Sequence, residues 1–233
     1  MKSLLLRLFL LSLTSVFVSS CTDADDTLPE PKVIIKFKFD SGLARLKNFG
    51  QPTTIAAGNA AQKPTFNFIS AHYLEFSPNA TTQLGQGYVA YLAPETTLGG
   101  SAAIDFSKAI QVKEGEAFLE IPLKDFQAGS YEWLRVSLSY QDYSISMLLS
   151  QVDYQANIKS FIGFNTYLEN RIINNTSFTG NKPQGYWEFS ILNNPFETSG
   201  QTAANATTVP NPLAATSPIP AGSCVVTGKF ETP

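Results

Sequence analysis

Beyond Lys32 the dominant periodicity of the chain is two. Apolar and polar residues alternate, and the apolar positions hold β-branched and aromatic side chains rather than strong helix formers. In residues 33–40, Ile35, Phe37 and Phe39 alternate with Lys36, Lys38 and Asp40, the clearest strand pattern in the molecule. Segments of the same kind recur at 66–76, 88–92, 118–123, 133–140, 143–148, 161–168, 185–190 and 224–230, with Gly129-Ser130 supplying a turn before Tyr131. About nine strands with such turns predict an all-β fold, an antiparallel β-sandwich with long loops. Helix is scarce: Leu43, Leu46 and Phe49 recur every third residue, which predicts one short helical turn closed by Gly50. Residues 193–223 are rich in Asn, Thr, Ala and Pro and have no periodicity, so they read as one long loop inside a single domain, 32–233. The sequence stops just after a strand, at Gly228 to Pro233, which reads as truncation of a longer protein.

The first residues follow a different pattern. Residues 1–20 carry Lys2 and Arg7, an apolar run from Leu8 to Val18, and small residues before Cys21. This is the layout of a secretory leader, and its apolar core of about eleven residues is short of the roughly twenty that a spanning helix needs. Val18-Ser19-Ser20-Cys21 resembles the lipobox of bacterial lipoproteins. That resemblance implies removal of the leader, lipidation of Cys21 and attachment to the membrane through acyl chains. Residues 21–31 are acidic and contain proline, the composition of a flexible tether. Ala24-Asp25-Asp26 is similar to the acidic export signal of Bacteroidota surface lipoproteins, and Asp26-Thr27-Leu28 to the short O-glycosylation motif of that phylum. The implied location is the outer membrane, lipid-anchored and facing outward, with the periplasmic face as the alternative.

Composition narrows the picture further. With 43% hydrophobic and 15% charged residues, the chain is neither a disordered protein nor a multi-span membrane protein. The leader takes Lys2 and Arg7, so 16 basic residues become 14; the tether takes Asp23, Asp25, Asp26 and Glu30, so 19 acids become 15. The body is therefore almost neutral and lacks the basic surplus of a nucleic-acid binder.

Candidate chemistry is sparse. If Cys21 carries lipid, Cys224 has no disulfide partner and reads as a small buried hydrophobe. The lone histidine, His72, falls by alternation with Phe66, Phe68, Ser70, Leu74 and Phe76 on an inward face; it is a weak metal candidate, because no second histidine or cysteine pair completes a site. No nucleophile elbow, zinc-protease motif or phosphate loop is present. Gly85-Gln86-Gly87-Tyr88-Val89-Ala90 matches a relaxed dinucleotide fingerprint but opens a strand instead of a helix. The reading expects no catalysis and no cofactor. The richest resource is aromatic: 17 Phe, 9 Tyr and 2 Trp. Tyr140, Tyr143, Tyr186 and Trp187 lie among Gln141, Asp142, Asn181, Gln184 and Glu188, a mixture suited to stacking on sugar rings, and Tyr143, Tyr186 and Trp187 are the candidate ligand-binding residues.

Three stretches carry a family resemblance: Phe37-Lys38-Phe39-Asp40, Ile69-Ser70-Ala71-His72-Tyr73-Leu74-Glu75, and Gly129-Ser130-Tyr131-Glu132-Trp133-Leu134-Arg135-Val136. Together they resemble a domain of Bacteroidota lipoproteins of mostly unassigned function. They are more faintly similar to the methanobactin-associated copper-binding periplasmic proteins. The first resemblance implies a surface binding or structural module whose partner is a glycan or another envelope protein. The second implies a periplasmic metal-binding lipoprotein of the copper type, although that family's copper site uses more histidine than this chain owns.

Overall fold

The computed structural model describes residues 29–40, 42–47, 51–202, 217–220, 223 and 225–231. The leader, Cys21, most of the tether and Cys224 lie outside them. Residues 32–233 form one compact unit, and among the described residues no helix is long and apolar enough to cross a membrane.

The body is a β-sandwich. Its strands are β1 (Lys32–Lys36), β2 (Thr65–Ser77), β3 (Tyr88–Leu92), β4 (Glu95–Thr96), β5 (Ala103–Asp105), β6 (Ala117–Pro122), β7 (Trp133–Leu149), β8 (Val152–Phe161), β9 (Asn165–Ile173), β10 (Thr176–Pro183), β11 (Tyr186–Ile191), β12 (Glu197–Gln201) and β13 (Val225–Lys229). One 3₁₀ turn, Phe106–Lys108, is held at its start by Asp105, whose side chain accepts from the Ser107 amide. The largest sheet runs β12-β11-β8-β7-β2-β3, and β13 adds to β7 over Trp133–Ser137, where β8 no longer reaches. A second sheet runs β10-β9-β5-β4, and β1 pairs with β6 in a third. All pairings are antiparallel except β5 with β9. The sheets are joined by two apolar clusters. One brings Ile69, Ala71, Val112 and Phe118 together, and the other stacks Tyr140, Phe161, Leu168 and Tyr186, with Phe106 and Phe178 against them.

The observed elements exceed the nine expected, for identifiable reasons. Residues 133–140 and 143–148 are one strand of 17 residues, because the polar pair Gln141-Asp142 stays in the ladder opposite Ser160 and Lys159. The expected strand at 161–168 is two strands: β8 ends at Phe161, and Ile162 and Gly163 both donate their amides to the Ser139 carbonyl as the chain crosses to the other sheet. β9 and β10 are joined by Asn174-Asn175 with φ of 49° and 58°, the left-handed pair that a two-residue hairpin requires. Inside the expected loop 193–223, Glu197–Gln201 forms the edge strand β12 on β11. The short helical turn over Leu43, Leu46 and Phe49 is not formed among the described residues, where Leu46 bridges Pro52 instead; Phe49 and Gly50 lie outside them.

Candidate ligand-binding cleft

The site is built on one face of the central strands. Antiparallel partners share a face, so Tyr140, Phe161 and Tyr186 form one row, Asp142, Lys159 and Glu188 the next, and Ser144, Asn157 and Ser190 a third. Along the strands the face changes from aromatic to polar. The aromatic row closes the core. In the second row Glu188 is buried and accepts both Nε (2.8 Å) and Nη2 of Arg171 from β9, a two-point clamp between sheets that raises the guanidinium pKa. Burial first, then the negative charge of Asp142, pushes the Tyr140 phenol well above its ordinary range, so it remains a donor to Asp142 Oδ2 at 3.3 Å.

A β-bulge completes the cluster. Phe66 pairs with Tyr143 and Phe68 with Asp142, leaving Asn67 as the extra residue on β2. Its side chain reaches the polar rows, where Nδ2 lies 2.8 Å from Asp142 Oδ1, 3.0 Å from Ser144 Oγ and 2.9 Å from Asn157 Oδ1. An amide NH₂ has two protons, so three acceptors on one nitrogen leave oxygen lone pairs in excess. Asn67, Asp142, Ser144 and Asn157 line an open cavity of about 590 Å³ with Phe66, Phe68, Lys113 and Leu192. The Lys113 ammonium sits 5.8 Å from the Phe68 ring centre. Asp142 is the one carboxylate in this wall.

Phe66 also lines a second cavity, of about 560 Å³, on the other side of the bulge, with Lys38, Phe39, Asp40, Leu43, Arg45, Gln62, Lys63 and Pro64. The Phe39 and Phe66 rings stack at 3.9 Å and 10°, and Tyr143 leans on Phe66 with centroids 5.8 Å apart. The Gln62 amide clamps the loop to β7, donating to the Ser146 carbonyl at 2.7 Å and accepting from its N–H at 3.1 Å. Phe66 is common to the walls of both cavities.

The candidates named from sequence are not gathered into one place. Tyr143 borders the cleft through Phe66. Tyr186 is 6% exposed and belongs to the core, its hydroxyl 3.4 Å from Glu188 Oε1. Trp187, its neighbour on β11, faces the opposite side, where its ring occupies the space over Gly200: a Cβ there would come within 2.5 Å of it. His72 is fully buried, as expected, though simple alternation is not the reason: β2 shifts register three times against β7, and every residue from Ile69 to Ser77 is buried. Its Nε2 lies 2.9 Å from Glu95 Oε1, its Nδ1 has no partner, and burial, opposed by Glu95, lowers its pKa. Among the described residues no three His, Cys, Asp or Glu side chains cluster as metal ligands. Gly85 and Gly87 serve neither a nucleotide nor the cleft: their amides donate to buried Glu75 at 3.1 and 2.6 Å.

Sequence reasoning missed Asn67, Ser144, Asn157 and Lys113 as site residues, and Lys38, Arg45, Gln62 and Lys63 beside them, because segments distant in sequence and a bulge bring them together. The one signal was a lone Asn set between Phe66 and Phe68. Comparison with family models, with curated proteins and with solved structures found no match to this chain.

Proposed function

We propose that this protein is a lipid-anchored, non-catalytic binding module of the outer cell surface, and that its cleft holds a glycan. The observation that carries the reading is the Asn67–Asp142–Ser144–Asn157 cluster opening into a cavity walled by Phe66 and Phe68. Sugar hydroxyls match oxygen acceptors in excess of donors, and the C–H faces of a pyranose match aromatic walls; a few placed polar groups in an apolar cleft are the usual makeup of a small-ligand site. The lipobox-like Val18-Ser19-Ser20-Cys21 and the acidic residues after it support the anchor and the outward orientation.

A glycan array probed with wild type, Asn67→Ala and Asp142→Asn tests the site. Loss of one hydrogen bond to a charged group is worth about 1.5–3 kcal/mol, so a bound glycan is expected to weaken roughly tenfold or more in each variant. Unchanged binding in both variants would remove the cleft from the account. For the anchor, Cys21→Ala is expected to abolish lipid labelling, and protease shaving of intact cells is expected to remove the wild-type protein. A labelled Cys21→Ala protein, or one that survives shaving, contradicts that part.

A further inference from the structure

We infer that the ligand is an acidic polysaccharide, bound as a chain of several sugar units that crosses Phe66 from one cavity to the other. This rests on the glycan reading above and adds the charge and the length of the ligand. Lys38, Arg45 and Lys63 line the outer cavity, and among the described residues none of them enters an ion pair; Lys36, Lys47, Lys159 and Lys182 elsewhere in the domain have none either, so what sets the cavity apart is three cations gathered in one wall. The one acid in that wall, Asp40, turns its Oδ1 to the Gly42 amide at 2.8 Å. The inner cavity adds Lys113 against Asp142 alone.

In a body whose charges nearly balance, the cleft therefore carries a local positive surplus around an aromatic centre. A nucleic acid would fit the cations but not the near-neutral net charge of the domain. A neutral sugar would fit the rings and the amides but would gain nothing from the three exposed cations. A uronate or sulfated sugar satisfies all of these features: its ring lies on the Phe39–Phe66 pair, its hydroxyls reach Asn67, Asp142 and Asn157, and its carboxylate or sulfate meets Lys38, Arg45 or Lys63. Cavities of about 560 and 590 Å³ on either side of Phe66 hold more than one ring, which selects a chain over a monosaccharide.

Because Lys38, Arg45 and Lys63 are solvent-exposed, each contact is screened and is worth roughly a two- to fivefold change in affinity, with the set acting together. The test is titration of the purified domain with three hexasaccharides, an oligogalacturonate, a heparin fragment and neutral maltohexaose, at low and high salt. Wild type is compared with Lys38→Ser/Lys63→Ser and with Asn67→Ala; the first two substitutions are at exposed positions, and circular dichroism verifies the fold. At least one acidic chain is expected to bind about tenfold more tightly than the neutral one, and to weaken about tenfold between 20 and 300 mM salt. Lys38→Ser/Lys63→Ser is expected to erase most of that preference, while Asn67→Ala weakens whatever binds. Which acidic chain binds separates carboxylate from sulfate recognition. Equal, salt-insensitive binding of the neutral chain overturns the acidic preference and leaves the glycan reading standing. Failure of all three chains to bind overturns both.

Discussion

Glu75 is the residue whose removal the structure predicts to be most damaging. It is 0% exposed on β2, yet its carboxylate is fully used: Oε1 accepts from the amides of Gly85 and Gly87, and Oε2 accepts from the Tyr73 hydroxyl at 2.9 Å and from Arg135 Nη1 at 3.4 Å. Arg135, with a side chain only 7% exposed, also donates to the Thr82 carbonyl, so the pair fastens the connection between β2 and β3 to β7. No side chain fits at Gly87, where a Cβ would lie 2.2 Å from the Phe76 carbonyl. Glu75→Ala strands a buried guanidinium, a loss of about 3–5 kcal/mol, and deprives three further donors, each worth about 1–3 kcal/mol if water cannot reach them. The connection lies at the surface and can open toward solvent, so the sum is an upper bound, and the expected cost is about 4–6 kcal/mol. At roughly 2–4 °C per kcal/mol for a domain of this size, Tm falls by about 10 °C or more.

Arg135→Ala is expected to cost less, since the carboxylate keeps its other three donors. The double variant is expected to cost at least about 2 kcal/mol less than the sum of the two single ones. Urea denaturation followed by circular dichroism reads all three. A cost below about 1 kcal/mol for Glu75→Ala, or strict additivity in the double variant, would refute the reasoning.

Two further outcomes follow from local physics. His72 is held below its ordinary pKa of 6.5 by burial, so the unfolded chain binds its proton more tightly than the folded one. The contribution to stability is therefore full above about pH 6.5 and is lost as pH falls below it; the urea midpoint is expected to drop between pH 6.5 and 5 in wild type and to drop less in His72→Gln, and equal slopes would contradict this. The hairpin between β7 and β8 turns through Ser150-Gln151 with φ of 50° and 64°, a conformation suited to Asn-Gly, so Ser150→Asn/Gln151→Gly is expected to stabilise by about 1 kcal/mol in thermal unfolding; destabilisation would mean that the turn is not of this type.

How much of this was legible in the sequence depended on whether a residue's role was local. The alternation in 88–92 and 185–190 is a local property, and strands lie there as expected; the strand expected over 33–40 ends at Lys36, with residues 37–40 outside β1. Gln141-Asp142 read as a break because polar pairs usually end strands; here the partners that keep them in the ladder, Ile69 and Phe68 on β2 and Ser160 and Lys159 on β8, are distant in sequence. Glu197–Gln201 has little β propensity of its own and becomes a strand through pairing with β11. The same distinction governs the site. Tyr143 could be picked out by type, and Asp142 stood beside it. Asn157 is an unremarkable polar residue until the pairing of β7 with β8 sets it opposite Ser144, and Asn67 until the bulge turns it toward both.

The most direct test of the cleft is to map a bound oligosaccharide by NMR on the labelled domain. The account predicts saturable shifts concentrated at Phe66, Asn67, Phe68, Lys113, Asp142, Ser144 and Asn157, with Trp187 unaffected. Saturable shifts centred on Trp187 and the outer side of β11, with the Asn67 cluster unmoved, would contradict it.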